Sequence, residues 1–343
     1  MDNFLSSKLR LVTFYLMIMV VNIHAFNLKN ITVSQDSIYF FELFFSEGVS
    51  RIAVPFFFII SGYLFFYNFN GTKSEYISKG KKRIKTIVAP YFFWSIFSFF
   101  FYFILESNSI TGDFFSKYQF ENYSIRNYIS TIVLYPIAYQ LWFLKDLLLL
   151  LVFTPLIFIL IKKFDYYVLL PLFTIWIFEY NLIIVSPESL LFFYFGSYLS
   201  IKQKNILFNG SILKTILMNM MWLLLIGLKT TLVVTEITAD KSAFGLHKTS
   251  ILVGILAFWT LFDISSKKVK NTSSKIYTLS FFIYVMHEPL LTIMNRVCSY
   301  YLSTNPLTLY LVSPSITILC CIFIGLFLKK RAIKFYYLIT GGR

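Results

Sequence analysis

The chain has 343 residues, of which 57% are hydrophobic, 20% aromatic and only 14% charged, and its formal net charge is +15. This composition is too apolar for a soluble domain and is typical of a protein that is surrounded by lipid. The sequence therefore predicts an all-α, polytopic membrane helix bundle, with residues 1–343 forming one integral membrane domain.

Transmembrane helices are predicted wherever about 20 consecutive apolar residues lie between charged or Asn-, Gly- and Ser-rich breaks. About ten such segments occur, and the fifth and sixth are short. They lie near residues 9–28, 50–68, 85–105, 142–161, 166–180, 184–200, 212–229, 249–265, 277–297 and 307–328.

The distribution of Lys and Arg predicts the orientation, because cytoplasmic loops are enriched in both. With both termini in the cytoplasm, most of the 31 basic residues fall in cytoplasmic loops. Acidic residues such as Asp36, Glu42 and Glu47 then fall in the opposite loops. Membrane orientation accounts for the positive charge, so no nucleic-acid partner is predicted.

The first predicted helix carries two polar residues in "RLVTFYLMIMVVNIH". Arg10 and His24 are separated by about 21 Å of helix axis and lie about 40° short of four full turns, so they share one face. Arg10 is predicted near the cytoplasm and His24 near the opposite surface. The alternative for His24 is an interfacial histidine that is hydrogen-bonded to a carbonyl.

The second predicted helix, "SRIAVPFFFIISGYLFF", begins with Arg51 at its outer end. We expect Arg51 to lie at the outer mouth of a cavity, although its side chain is also compatible with snorkelling to headgroups. Ser61 and Gly62 present a small surface that allows another helix to approach closely.

Two later helices place ionisable residues in the outer half of the membrane. "LWFLKDL" contains Lys145 and Asp146, and "SFFIYVMHEPLL" contains Tyr284, His287 and Glu288. A charge inside a membrane is costly unless it is paired or hydrated, so residues of this kind at similar depth predict one shared cavity. The alternatives are snorkelling for the lysine and a simple ion pair between the lysine and the aspartate.

Six segments in this order resemble the acyltransferase 3 family of integral membrane O-acyltransferases, which modify surface polysaccharides and related glycans. The resemblance spans most of the chain. The segments are the Arg10–His24 helix, "RIAVPFFFIISGYLF", "KKRIKTIVAPYFFWSIF", "LWFLKDLL", "FYFGSYLS" and "SFFIYVMHEPLL". One departure concerns the first helix. The family places ten residues between its Arg and His, whereas thirteen separate Arg10 from His24, and Thr13 stands at the ten-residue position.

The resemblance implies transfer of an acyl group from a thioester to a sugar hydroxyl. A neutral imidazole is the side chain best suited to accept the hydroxyl proton near neutral pH, so His24 is the candidate base. An acyl-histidine intermediate is an alternative use of the same residue. The candidates for stabilising the oxyanion or orienting a partner are Arg51, Lys145, Asp146, Tyr284, His287 and Glu288.

The resemblance also implies that the acyl donor is acetyl-CoA, with no metal cofactor. Basic residues before the third helix are available to hold its phosphates, and Arg10 is predicted at the same depth. The positive-inside bias is the alternative explanation for this cluster. Its members are Lys81, Lys82, Arg83 and Lys85.

The acceptor is expected on the opposite side of a bacterial inner membrane. It would be an O-antigen, as in lipopolysaccharide, a capsule unit or a related lipid-linked oligosaccharide. The alternative function is a polytopic transporter or flippase, because intramembrane charges also suit that class. No two-half repeat is visible in the sequence, which favours the acyltransferase.

Overall fold

The structure is a computed structural model and describes residues 3–27, 36–108, 111–112, 120–204, 206, 211–235, 241–268, 275–301 and 305–342. Within these ranges the regular elements are helices, and no strand occurs. The predicted all-α fold is thereby confirmed for the described part of the chain. The helices, in chain order, are α1 (Asn3–His24), α2 (Asp36–Leu43), α3 (Ala53–Phe66), α4 (Lys73–Arg83), α5 (Ala89–Ser107), α6 (Ile125–Val133), α7 (Trp142–Val152), α8 (Thr154–Phe164), α9 (Leu169–Ile177), α10 (Pro187–Ile201), α11 (Ile212–Val234), α12 (Lys241–Lys268), α13 (Ser280–Tyr301), α14 (Pro306–Arg331) and α15 (Ile333–Thr340).

Helix length limits how many of these elements can cross a membrane alone. Among the described residues, seven helices are long and apolar enough, and the bent pair Tyr139–Val152 and Thr154–Ile177 makes up to one more. Helix α10 has 15 residues, or about 22 Å, which is shorter than the hydrocarbon core. The structure supports seven to eight spans, and ten stays a prediction.

The predicted fourth span is interrupted. Helix α7 ends at Val152, and α8 begins at Thr154 with Pro155 in its first turn. Proline has no backbone N–H, so it fits the first turn of a helix but interrupts the hydrogen bonding in the helix interior. A new helix therefore starts at this point. The axes of the two units are bent by 61°.

The second helix starts earlier than predicted. Residues Phe44–Gly48 form a π turn and Val49–Ile52 a 3₁₀ turn, and these turns join α2 to α3. The apolar unit therefore runs over Ser37–Phe66. Most of the 36–47 segment, which the sequence placed in a loop, is helical, because "SIYFFEL" is itself largely apolar and continues into the helix that follows.

His247 also lies elsewhere than expected. Residue 247 precedes the predicted span 249–265 and was expected in a polar loop, but it lies inside α12, where its Nδ1 is 3.3 Å from Lys229 Nζ. Lys229 also donates to the Glu47 carbonyl at 2.6 Å. These contacts between elements shield the polar atoms of Lys229 and His247 from lipid. The shielding explains why the helix extends through a polar sequence.

Helix α3 packs closely on α10 through two glycines. A Cβ at Gly62 would lie 2.2 Å from the Phe193 carbonyl oxygen, and a Cβ at Gly196 would lie 2.0 Å from that of Ile59. This is the close approach that the "SGY" segment predicts for another helix.

A buried ion pair joins α1 to α12. Lys8 Nζ is 2.5 Å from Asp263 Oδ1 and 3.4 Å from the centre of the Trp259 ring. Lys8 is fully buried, so the aspartate and the ring compensate a charge that lipid would otherwise exclude. The sequence treated Lys8 only as an orientation signal and missed the pair.

Candidate functional site

A cavity of about 480 Å³ runs along one face of α1. From this helix it is lined by Arg10, Thr13, Met17, Val20 and His24, which recur at intervals of three and four residues. That spacing is one face of an α-helix, so a single helix connects the two ends of the cavity. Residues of α3, α4, α7 and α13, and of the turns that precede α5, α7 and α13, complete the lining.

One end of the cavity, called here the basic end, contains two guanidinium groups. Arg10 and Arg83 both line the cavity there. Helix α4 is held at this end because Lys79 donates to the backbone carbonyls of Phe65 and Tyr67, where α3 ends. The other three members of the predicted cluster, Lys81, Lys82 and Lys85, are exposed and do not line the cavity.

The opposite end, called here the histidine end, lies where α1 finishes. It is lined by His24, Val54, Gln140, Trp142 and Tyr284. These residues come from α1, α3, the turn before α7, the first turn of α7, and α13. A hydrogen bond of 2.8 Å from Ser46 Oγ to the Asn22 carbonyl ties the segment before α3 to the last turn of α1.

Two imidazoles stack at the histidine end. The His24 and His287 rings are 5.4 Å apart between centres and inclined by 16°. Tyr139 contacts the His24 ring edge-on at 4.7 Å. His287 Nδ1 lies 2.8 Å from the Tyr284 carbonyl, which can only accept, so Nδ1 carries the proton and donates it.

A hydrogen-bond network surrounds this pair. Tyr139 OH donates to Glu288 Oε1 at 3.1 Å, and Thr292 Oγ1 donates to Glu288 Oε2 at 2.8 Å. Gln140 Nε2 donates to the Glu288 carbonyl at 3.2 Å, while Tyr284 OH donates to the Gln140 carbonyl at 2.6 Å. The network fixes the turn before α7 against α13, at the point where Glu288 leaves helical geometry ahead of Pro289.

His287 and Glu288 lie behind the cavity lining, and three other predicted site residues also lie outside it. Arg51 pairs with Glu47 at 2.5 Å and stands three residues before the lining residue Val54. Lys145 lies over the Tyr135 ring at 5.5 Å. Asp146 is buried and accepts from Ser189 Oγ at 2.8 Å and the Ser186 amide at 3.0 Å. Asp146 therefore holds the start of α10.

Sequence reasoning missed Gln140 and Tyr139. Both lie in a short 3₁₀ turn ahead of the quoted "LWFLKDL" segment, where a neutral polar residue carries no signal of function. The sequence signal that could have found them is their position directly before a helix whose first residues were already candidates. Tyr284, His287 and Glu288 do lie together with His24, as the topology predicted.

The described residues hold no group of three or more His, Cys, Asp or Glu side chains that could bind a metal ion. Cys298, Cys320 and Cys321 are unpaired thiols. The donor set at the histidine end is two imidazoles and one hydrogen-bonded carboxylate, which suits proton transfer.

One of three comparisons with known proteins identifies a family. A family model described as an acyltransferase domain matches residues 11–326. No match was found among curated proteins or among solved structures. The matched range contains every residue that lines the cavity except Arg10, which lies one position before it.

Proposed function

The chain belongs to the acyltransferase 3 family, and we propose that it transfers an acetyl group from acetyl-CoA to a sugar hydroxyl of a surface glycan. The observation that carries the proposal is one cavity with two arginines at one end and a histidine at the other. Family membership also favours this function over a transporter or flippase.

The basic end suits the nucleotide part of acetyl-CoA. Guanidinium groups bind phosphate through paired, charge-assisted hydrogen bonds, and Arg10 and Arg83 both line this end. The exposed Lys81, Lys82 and Lys85 add a positive field around the entrance. The middle of the cavity is lined mainly by apolar side chains such as Met17, Val20 and Ile60, which suits a thin pantetheine arm.

The histidine end would hold the thioester and the acceptor hydroxyl. His24 accepts the hydroxyl proton while the sugar oxygen attacks the thioester carbonyl. The carbon–sulfur bond then breaks, and the leaving thiolate takes the proton from His24. The covalent alternative forms an acetyl-imidazole on His24 first and transfers the acetyl group to the hydroxyl in a second step.

Stabilisation of the oxyanion needs a donor at the same end. Tyr284 OH already donates to the Gln140 carbonyl, and Arg51 is paired with Glu47. Trp142 lines the cavity, and its indole N–H can only donate, so it is the group we assign to this role. The charge of Arg51 is compensated by Glu47, so a positive potential from outside the lining would come from Lys145, which lies over the Tyr135 ring.

His287 and Glu288 act by orienting the site. His287 holds the His24 ring by stacking, and Glu288 holds Tyr139 against its edge. Asp146 acts at longer range, through the start of α10.

The two ends of the cavity would face opposite sides of the membrane. Acetyl-CoA is made in the cytoplasm, so the basic end belongs there. The acceptor would be an O-antigen of lipopolysaccharide, a capsule unit or a related lipid-linked oligosaccharide at the outer face of a bacterial inner membrane. Membrane lipids surround the bundle.

Deletion of the gene tests this proposal. The surface polysaccharide of the host should lose base-labile acetyl groups, and wild-type protein should restore them. Protein carrying His24→Ala should be inserted in the membrane and should fail to restore them. Unchanged acetylation in the deletion strain would contradict a glycan acceptor.

A further inference from the structure

Gln140 has one side-chain atom that finds no hydrogen-bond partner among the described residues. Gln140 is one of the residues that line the cavity at the histidine end, and it is only 2% exposed. Its Nε2 donates to the Glu288 carbonyl at 3.2 Å. Within the described part of the chain, Gln140 Oε1 is buried without a hydrogen-bond partner.

The orientation of this amide is defined by its neighbour. A backbone carbonyl can only accept, so the Gln140 atom that faces the Glu288 carbonyl must be the NH₂ group. The other atom is therefore the oxygen, which can only accept. A buried acceptor without a donor destabilises a protein, and native proteins keep few such groups.

The Gln140 side chain is also held in place before any ligand arrives. Its backbone carbonyl accepts from Tyr284 OH, and Glu288 is fixed by Tyr139 and Thr292. Tyr139, the preceding residue, contacts the His24 ring. Gln140 Oε1 is thus an acceptor at a fixed position, one residue from a side chain that touches the candidate base.

The chemistry of the two substrates indicates which hydrogen-bond donor binds to Gln140 Oε1. An amide oxygen cannot stabilise an oxyanion, because both carry negative charge. The reacting hydroxyl must direct its proton to His24. The pantetheine arm, in contrast, carries an amide N–H only two methylene groups from the thioester sulfur, and the surrounding lining is mainly apolar.

We propose that Gln140 Oε1 accepts a hydrogen bond from the amide N–H next to the thioester of the acyl donor. This inference rests on the proposed function. The contact anchors the arm at its reactive end, so the thioester carbonyl lies beside His24. It makes Gln140 a residue that selects donors carrying this amide over simple thioesters.

Two small donors test the inference with purified wild-type protein. One is S-acetyl-N-acetylcysteamine, and the other is its analogue in which the amide N–H is replaced by a methylene group. We expect kcat/KM to be about tenfold lower for the analogue, because it leaves the buried oxygen unpaired. Equal use of the two donors by wild-type protein would overturn the inference.

The variants Gln140→Leu and Gln140→Met localise the effect. Both variants should use the two donors equally well, with a kcat/KM close to that of wild-type protein for the methylene analogue. Leu147→Met, a conservative change in the same lining, should keep the tenfold preference. A purely structural role for Gln140 would lower both rates and keep their ratio, which would also overturn the inference.

The outcomes separate this inference from the proposed function. If wild-type protein transfers acetyl from acetyl-CoA but uses the amide donor and its methylene analogue equally well, the proposed function stands and the role of Gln140 is excluded. Wild-type protein that uses no thioester at all contradicts the function itself. A change confined to the KM of the acceptor in Gln140→Leu would assign Gln140 Oε1 to the sugar and overturn the donor contact. If neither variant folds, the comparison of the two donors on wild-type protein decides alone.

Discussion

His24 and His287 are in contact, but their rings differ in burial and therefore in their availability to react. The His287 ring is fully buried, and its Nδ1 is held by carbonyls one turn back in its own helix. His24 is half-buried at the end of α1 and lines the cavity. A ligand in the cavity therefore meets the His24 ring first, and His287 supports that ring from behind.

We expect His24→Ala to lower acetyl transfer by about 10²-fold or more, because the variant lacks the proton acceptor. The rate should be measured with labelled acetyl-CoA on protein shown by size-exclusion chromatography to be folded. Tyr15→Ala, at an exposed position on the same helix, should keep its activity. If an acyl-histidine forms, wild-type protein without acceptor should retain label and His24→Ala should not. Near wild-type transfer by His24→Ala would remove this residue from the mechanism.

The basic residues around the cavity should differ in their effect on the donor. Arg83→Gln should raise the KM for acetyl-CoA about tenfold, because it removes charge-assisted hydrogen bonds to phosphate. Lys81→Gln, at an exposed position outside the lining, should have a smaller effect that fades at high salt. Steady-state kinetics at two ionic strengths distinguishes the two. An unchanged KM for acetyl-CoA in both variants would leave the cluster as an orientation signal.

For single residues, the sequence predicted the ionisable side chains that are costly in lipid and missed the neutral polar side chains that lipid tolerates. An imidazole or a guanidinium in an apolar helix is costly, so His24, Arg10 and His287 could be recognised. Gln140 is neutral and lies at a helix end, and its importance comes from contact with Glu288, 148 residues further along. Such a contact depends on the packing of two helices, which no local pattern contains.

The contact between α3 and α10 shows how a short element can be fixed in the bundle. Gly62 and Gly196 bring the two backbones together, and the start of α10 is held by Asp146. The quoted "SGY" segment predicted a close helix neighbour but could not identify which helix. The predicted start of the second helix was less accurate, because an apolar run continues through the π turn Phe44–Gly48.

Gly196→Ala should destabilise the protein by about 1–3 kcal/mol, because the added Cβ meets a backbone oxygen that cannot move alone. Thermal unfolding in detergent should show a lower Tm. Gly227→Ala is the matched control, since a Cβ there meets nothing within 4 Å. An unchanged Tm for Gly196→Ala would mean that α3 and α10 separate without cost.

Besides the helices that enclose the cavity, the molecule has a short amphipathic helix, α6, that was not predicted from the sequence. Helix α6 exposes Ile125, Ile129 and Val133 at intervals of four residues. It has only 9 residues and was not recognised, because it is too short to be a span. An apolar stripe of this kind suits a helix lying along a membrane surface. In the predicted orientation, that surface is the one at the histidine end.

The orientation of the bundle decides whether the two ends of the cavity face the compartments that the chemistry needs. Single cysteines at Lys82, Lys334 and Asn127, all exposed, can be introduced after the native cysteines are replaced. The excess of Lys and Arg predicts that Lys82 and Lys334 are cytoplasmic and that Asn127 is external. An impermeant maleimide should therefore label Asn127→Cys in intact spheroplasts, and the other two only after permeabilisation. The reverse pattern would place Arg10 and Arg83 outside the cell, away from acetyl-CoA, and the proposed route of the donor would then be excluded.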